Sequence, residues 1–221
     1  MKSLLLFLLT TFTTISFAQT RQQKKAADFV PEGYVIFKEI NGDLNKDNIK
    51  DRVLIIKATD TSNIVNDEYR GRLDRNRRGI IVLFNKNSHY TLAAKNYDCF
   101  SSENEDGGVY FPPELSIEIK KETLSIKYYH GRYGYWGYTF RFQNADFELI
   151  GYDESDNQGP VVNKITSINF LTKTKIEKVN TNENAGSGEE IFKTVNKKIK
   201  IARLLKLSEI KDFDDIDLLQ Y

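Results

Sequence analysis

Residues 115–129 read LSIEIKKETLSIKYY, and this stretch decides the fold class. Every second residue is apolar from Leu115 to Ile119 and again from Leu124 to Tyr128, which is the pattern of β-strands with one buried face. Lys120 to Glu122 interrupt the alternation between the two runs. The stretch therefore predicts an antiparallel hairpin.

Two further stretches have the same character. Residues 135–152, YWGYTFRFQNADFELIGY, form two β-type runs joined across Asn144 and Ala145, and residues 168–179, INFLTKTKIEKV, form a third hairpin. Successive hairpins predict a mainly β fold with a single antiparallel domain over residues 31–221, which leaves a sandwich, an open barrel or a small propeller-like stack open. Residues 207–221, with apolar residues at three-to-four spacing, predict a short C-terminal helix.

The composition excludes several classes of protein. The chain has 221 residues, of which 40% are hydrophobic, enough for one packed core. Its 32 Lys and Arg residues and 31 Asp and Glu residues nearly cancel, which argues against a nucleic-acid binder or a protein held on anionic membranes. One Cys and two His cannot supply the four ligands of a structural zinc site.

The first residues predict export. Residues 1–18, MKSLLLFLLTTFTTISFA, have a basic start, an apolar stretch and small residues at the end, as in a secretory signal peptide. The apolar stretch contains several Thr and Ser and is short for a membrane span. No Cys follows it for lipid attachment, so we expect a periplasmic or secreted protein that is not a lipoprotein. Residues 19–30 are polar and predict a flexible leader.

Residues 41–56, NGDLNKDNIKDRVLII, contain the strongest chemical pattern. Asp43, Asn45, Asp47 and Asp51 offer side-chain oxygens at relative positions 1, 3, 5 and 9, and Ile49 offers its carbonyl at position 7. Calcium prefers such hard oxygen ligands, so the loop predicts a calcium site between two strands. The alternative is a turn rich in Asn and Asp whose side chains cap their own backbone without a metal.

The loop resembles the FG-GAP repeats of integrin α-chains and related exported bacterial proteins, whose motif is D-x-[DN]-x-[DN]-G-x-x-D. That resemblance implies the ligand set just named and differs at Asn48, where the motif has Gly. The order of motifs over residues 41–172 also resembles an uncharacterised family of exported bacterial proteins, with an aromatic segment, an LIG strand and a final NFLT strand. The family has no assigned activity and implies no catalytic residues.

Residues 128–138 are rich in aromatic side chains and glycine. Aromatic faces stack on sugars and peptides, so the segment predicts a surface that binds a glycan or protein ligand. The competing interpretation is that the rings pack in the core and the glycines turn the chain. The candidate ligand-binding residues are His130, Arg132, Tyr133, Tyr135 and Trp136.

These patterns together favour an exported, non-enzymatic, calcium-stabilised β domain that acts as a binding or envelope-associated module. No nucleophile elbow, zinc-protease helix, phosphate loop or dinucleotide fingerprint occurs. The alternative is a periplasmic or secreted hydrolase with an acidic carboxylate site, for which the sequence selects no residues. The arginines from Arg70 to Arg78 allow either polyanion binding or a solvated loop with balanced charges.

Overall fold

The computed structural model describes residues 22–105, 112–218 and 220–221. Within these ranges every strand pair is antiparallel, so the mainly β prediction is confirmed. The predicted signal peptide, residues 1–18, lies outside the described residues. The strands are β1 (Gln22–Gln23), β2 (Tyr34–Gly42), β3 (Asp51–Ala58), β4 (Ile64–Asp67), β5 (Gly71–Asp74), β6 (Arg78–Asn85), β7 (Tyr90–Phe100), β8 (Glu114–Lys120), β9 (Thr123–Tyr129), β10 (Gly134–Gln143), β11 (Asp146–Gln158), β12 (Val161–Asn169), β13 (Thr174–Asn180) and β14 (Phe192–Lys198).

The strands form two large sheets and one small hairpin. The first sheet has five strands in the order β1-β7-β6-β3-β2, and β4 pairs only with β5. The second sheet has seven strands in the order β14-β13-β12-β11-β10-β9-β8, so each strand pairs with its neighbour along the chain. This is the series of successive hairpins that the sequence predicts.

Two of the predicted hairpins turn through pairs of residues with positive φ. Lys121 and Glu122 have φ of 51° and 55°, and Asn144 and Ala145 have φ of 51° and 61°. Positive φ at both central residues is the type I′ geometry, whose twist matches that of the flanking strands. The third predicted hairpin joins β12 to β13 through residues 170–173.

The two sheets pack face to face, so the fold is a sandwich. Alternate residues of β3 and β6, such as Val53 and Ile80, meet Ile126 and Phe140 of the second sheet in one buried cluster. These side chains are completely inaccessible to solvent. Removing this apolar surface from water supplies the main driving force for folding.

The N-terminal segment differs from the predicted flexible leader. β1 pairs with β7, and Ala26–Phe29 form a 3-10 turn. Phe29 is buried with Leu54 and Ile81 on the face of the first sheet that points away from the second sheet. The central strands of the first sheet are apolar on both faces, so the outer face needs a cover, and residues 26–30 supply it.

In the described part of the C-terminal segment, the predicted short helix does not form as an α-helix. A 3-10 turn over Leu207–Glu209 stands in the region predicted to be helical. The apolar side chains of this segment instead enter the sandwich core, with Phe213 stacked on Phe100 at 5.0 Å between ring centroids. Asn96 donates to the carbonyls of Leu207 and Ile210, so the sheet satisfies backbone groups that a helix would pair internally.

No helix among the described residues has the length and apolar character needed to cross a membrane.

Candidate functional site

The loop between β2 and β3 contains the predicted calcium ligands. Asp43 accepts hydrogen bonds from the backbone N–H groups of Asn45, Lys46 and Asn48. Asn45 accepts from the N–H of Asp47 in the same way, at 3.0 Å. These overlapping turns, in which a side chain accepts an N–H two residues ahead, fold the loop around its own polar side chains.

Two more of the predicted ligands complete the loop. Asp47 accepts the N–H of Ile49 at 2.9 Å. Asp51, at the start of β3, is fully buried and accepts the N–H of Leu44 at 2.8 Å and that of Asn85 at 2.9 Å. Burial raises the pKa of Asp51, although its two backbone hydrogen bonds act in the opposite direction. Asp51 therefore ties the end of the loop to its beginning and to β6.

Asn48 occupies the position that the resembling motif gives to Gly. Its φ is 61°, in the left-handed region, so the sharp turn is made without glycine. Lys86 places its ammonium 3.1 Å from the second carboxylate oxygen of Asp47. This lysine offsets part of the negative charge of the loop.

The donor chemistry of the loop suits calcium, while its hydrogen bonds resemble the metal-free alternative. Three carboxylates, one amide and one carbonyl are all hard oxygen donors. Each carboxylate has about four lone-pair sites, so accepting an N–H leaves sites for an ion. Among the residues that the structure describes, no group of three or more His, Cys, Asp or Glu side chains is arranged to hold a metal.

The predicted aromatic site is divided between two faces of the second sheet. His130 lies 5.6 Å from Tyr133 and 6.1 Å from Trp136 between ring centroids, so these three form one cluster. Tyr135 is on the opposite face, 6.1 Å from Tyr129. The chain alternates faces along β10, which separates Tyr135 from its neighbour Trp136. Arg132 is exposed beside the cluster.

The core-packing interpretation holds for part of the segment. Tyr128 is buried in the sandwich and Trp136 stacks on it, with ring centroids 5.7 Å apart and planes at 17°. The ring of Trp136 is only partly buried. The Trp136 ring thus connects the core to the surface cluster of His130 and Tyr133.

Two carboxylates share the inner face of the second sheet, which bears on the hydrolase alternative. Glu154 of β11 is directly opposite Trp136 of β10 on one side and Thr166 of β12 on the other. Thr166 is in turn directly opposite Glu177 of β13. Residues opposite each other in an antiparallel pair place their side chains on the same face. Burial raises the pKa of Glu154.

Glu177 is the centre of an ion-pair network. The ammonium groups of Lys197, Lys164 and Lys175 lie 2.7, 3.2 and 3.4 Å from its carboxylate oxygens. The hydrogen bond from Lys197, helped by the other two lysines, holds the pKa of Glu177 at about 2. Both oxygens are engaged by cations, so the contacts give Glu177 a structural role.

The arginines from Arg70 to Arg78 are largely paired within the molecule. Arg77 contacts Asp98 at 2.7 Å and Asp212 at 2.8 Å, and Arg70 donates to the backbone carbonyl of Glu105. These contacts favour the loop with balanced charges over a free polyanion surface.

A buried polar cluster at one end of the sandwich has no counterpart in the sequence predictions. It contains Lys57 of β3, Arg78 of β6 and Glu103. The sequence contains a signal for this cluster. Lys57 follows Val53 and Ile55 at every second position of β3, and Arg78 precedes Ile80 and Val82 in the same way in β6, so both charged residues fall on the inward face. A charged residue at such a position is unusual because burying a charge is costly.

Comparison of the chain with models of protein families, with curated proteins and with solved structures gave no match.

Proposed function

We propose that this chain is an exported, non-enzymatic β domain, stabilised by calcium, that acts as a binding or envelope-associated module. Its calcium would be held by Asp43, Asn45, Asp47 and Asp51 with the carbonyl of Ile49. The observation that supports this proposal is the folding of residues 43–51 around the side-chain oxygens of Asp43, Asn45 and Asp47. The buried Asp51 closes this loop by accepting the N–H of Leu44. Bound calcium would neutralise the clustered carboxylates and hold the loop between β2 and β3.

Aspartate-to-asparagine exchange separates calcium binding from simple capping. Asp47→Asn keeps an oxygen that can accept the N–H of Ile49 but removes the charge. We expect calorimetry to show calcium binding to the native chain and at least about tenfold weaker binding to Asp47→Asn, because calcium affinity depends on ligand charge. Absence of calcium binding by the native chain would leave only the capping turn.

Asp67→Asn is the matched control. Asp67 accepts the N–H groups of Tyr69 and Arg70 in the same manner as Asp43 accepts those of Asn45 and Lys46. It is the last residue of β4, in a different hairpin from the predicted ligands. An equal loss of calcium affinity in this variant would contradict the assignment of the ion to residues 43–51.

The ring cluster of His130, Tyr133 and Trp136 is the proposed contact surface for a glycan or protein ligand. Its support is the convergence of three rings at the end of β10, with Trp136 partly exposed. Trp136 is the single tryptophan of the chain, so any change in tryptophan fluorescence comes from this residue. Soluble oligosaccharides and peptides are the probes.

Tyr133 and Tyr135 form a matched pair for this test, since both are partly buried and they belong to different ring clusters. We expect a ligand that changes Trp136 fluorescence to bind Tyr133→Ala more weakly and Tyr135→Ala normally. Equal effects of the two substitutions would refute the assignment of the binding surface.

A further inference from the structure

One edge of the first sheet is exposed and apolar. β2 is the last strand in the order of that sheet, so among the described residues it pairs only with β3. Val35, Ile36 and Phe37 are consecutive in β2 and are 50%, 41% and 45% exposed. An edge strand carries unpaired backbone N–H and C=O groups, so an apolar edge is a template for pairing with another strand.

β14, an edge strand of the second sheet, shows how such an edge is usually protected. Its sequence, FKTVNKK, contains three lysines. Lysines on an edge disfavour pairing with another chain, because their charges would be buried in the new contact. In β2 the charged residues follow the apolar run and none lies within residues 35–37. The apolar run of β2 therefore lacks this protection.

A groove runs beside the exposed part of β2. It is lined by residues 35–37, by residues 57–59 and by the hairpin of β4 and β5, and its volume is about 430 Å³, within the range of ligand sites. The hairpin contributes Ile64, Arg72 and Asp74. Ile64 is directly opposite Asp74, and Arg72 is two residues from Asp74, so all three side chains are on one face of the hairpin. The groove therefore lies between the edge of β2 and one face of a separate hairpin.

The charges of the groove favour an acidic occupant. Its charged lining residues are Lys57, Arg72 and Asp74. The ammonium of Lys57 lies 2.7 Å from Asp74 and 2.6 Å from Glu103, and Glu103 also lies 3.8 Å from Arg78, so these two cations and two carboxylates balance. Arg72 is exposed and has no ion-pair partner among the described residues. The charge of Arg72 is thus left for a carboxylate of the occupant.

A second copy of β2 suits the groove less well than a segment of another protein. Glu39 is the one carboxylate in the sequence of β2, YVIFKEING. It is already paired with Arg52 of β3. A second copy pairing through this strand would therefore bring no free carboxylate to Arg72.

We propose that β2 and the hairpin of β4 and β5 form a docking groove for an extended, acidic peptide segment of a partner protein. The segment pairs with the backbone of β2 as an added strand. Its side chains alternate between two faces, so an apolar residue packs on Val35 and Phe37, and an acidic residue two positions further reaches Arg72. The groove shares no residue with the ring cluster of the second sheet, so it is independent of the proposed function.

Fluorescence anisotropy of a labelled peptide tests the docking. The probe is fluorescein-TVTETVT-amide, whose second, fourth and sixth residues place Val, Glu and Val on one face. We expect it to bind the full chain, and we expect binding to weaken at least about tenfold for TVTKTVT, in which the charge is reversed, and for TVPEPVT, whose prolines cannot donate to β2. No binding of TVTETVT at about 1 mM, or equal binding of all three peptides, would overturn the proposal.

Hydrogen exchange locates the bound peptide on the chain. We expect TVTETVT to slow exchange of backbone amides in β2 and to leave β14, the edge strand of the other sheet, unchanged. Equal slowing in the two edge strands, or no slowing in β2, would contradict the assignment. Slowing in β2 that depends on protein concentration without peptide would assign the edge to a second copy and would also overturn the proposal.

Two valines form a matched pair of variants. Val35 and Val179 are strand residues that are 50% and 42% exposed, and only Val35 lines the groove beside β2. We expect Val35→Ser to weaken TVTETVT binding about fivefold, because apolar contact area is lost, and Val179→Ser to leave it unchanged. Equal affinities in the two variants would refute the groove as the binding site.

Arg72→Glu tests the charge preference. The side chain is exposed and has no ion-pair partner among the described residues, so we expect the variant to fold normally. We expect it to bind TVTKTVT more tightly than TVTETVT, the reverse of the native order, because the repulsive element has been exchanged. An unchanged order of the two peptides would refute the role of Arg72.

Discussion

Glu177→Gln tests the ion-pair network on the inner face of the second sheet. The carboxylate of Glu177 is bound by three lysines, and its side chain is 12% exposed. These contacts lower its pKa from 4.5 to about 2. At about 1.4 kcal/mol per tenfold change, the full difference corresponds to roughly 3 kcal/mol of folding free energy at neutral pH. Lys197 and Lys164 are partly solvated, so we expect a measured loss of about 1 to 3 kcal/mol.

The pH dependence of this loss has a defined sign. A carboxyl group whose pKa is lowered by folding stabilises the native state above its unfolded pKa, near 4.5, and loses that contribution as the pH falls toward 2. Urea denaturation of the native chain and of Glu177→Gln at several pH values measures the difference in unfolding free energy. We expect this difference to be largest near neutral pH and to shrink as the pH falls below about 4.5.

Glu118→Gln, at an exposed position of β8, is the control and should change the unfolding free energy by less than about 0.5 kcal/mol. A difference between the native chain and Glu177→Gln that stayed constant across this pH range would refute the electrostatic account of the network.

Three substitutions and one exposed control test the packing and the turn geometry of the fold by urea denaturation. Phe213→Ala removes a ring that is 1% exposed and stacked on Phe100, so we expect a loss of about 3 to 5 kcal/mol; a loss below 1 kcal/mol would show that the C-terminal segment does not belong to the core. Phe29→Ala, in the cover of the first sheet, should cost about 3 kcal/mol, whereas Tyr69→Ala, at a side chain that is 90% exposed, should cost less than about 0.5 kcal/mol. Ala145→Gly relieves a positive φ in the turn between β10 and β11 and should stabilise the chain by about 1 kcal/mol; destabilisation would contradict the type I′ geometry.

The meander was predictable because its information is local. In β8 and β9, alternation assigns each residue to a face, and two turn residues between the runs set the register. The polar loop at residues 43–51 was predictable for the same reason, since an Asp or Asn side chain reaches an N–H only two residues away.

The terminal segments depend on tertiary contacts that local patterns do not contain. Ala26 and Phe29 have no periodic partners in the sequence, and their burial follows from an uncovered apolar face of the first sheet. The apolar spacing from Leu207 to Phe213 suits a helix, but it equally suits a chain whose side chains enter a core and whose carbonyls are taken by Asn96.

The candidate sites likewise combine features that follow from local sequence patterns with features that depend on tertiary contacts. The separation of Tyr135 from Trp136 follows from strand alternation and was available from the sequence. The pairing of Lys57 with Arg78 depends on the register of β3 against β6, two strands joined by a long connection. Alternation within each strand marks Lys57 and Arg78 as inward-facing, but the register between two strands distant in the sequence cannot be read from either strand alone, so their pairing emerges only from the structure.

Thermal unfolding of the chain in calcium and in chelator tests the central claim most directly. An ion that binds only the native state stabilises it by about 2.7 kcal/mol at a hundred times its dissociation constant. For a domain of this size that corresponds to a rise of about 5 to 11 °C in melting temperature. We predict such a rise in the native chain, reversed by chelator and largely lost in Asp47→Asn. Identical melting temperatures in chelator and at about 10 mM calcium, well above the dissociation constants of weak extracellular sites, would contradict the account.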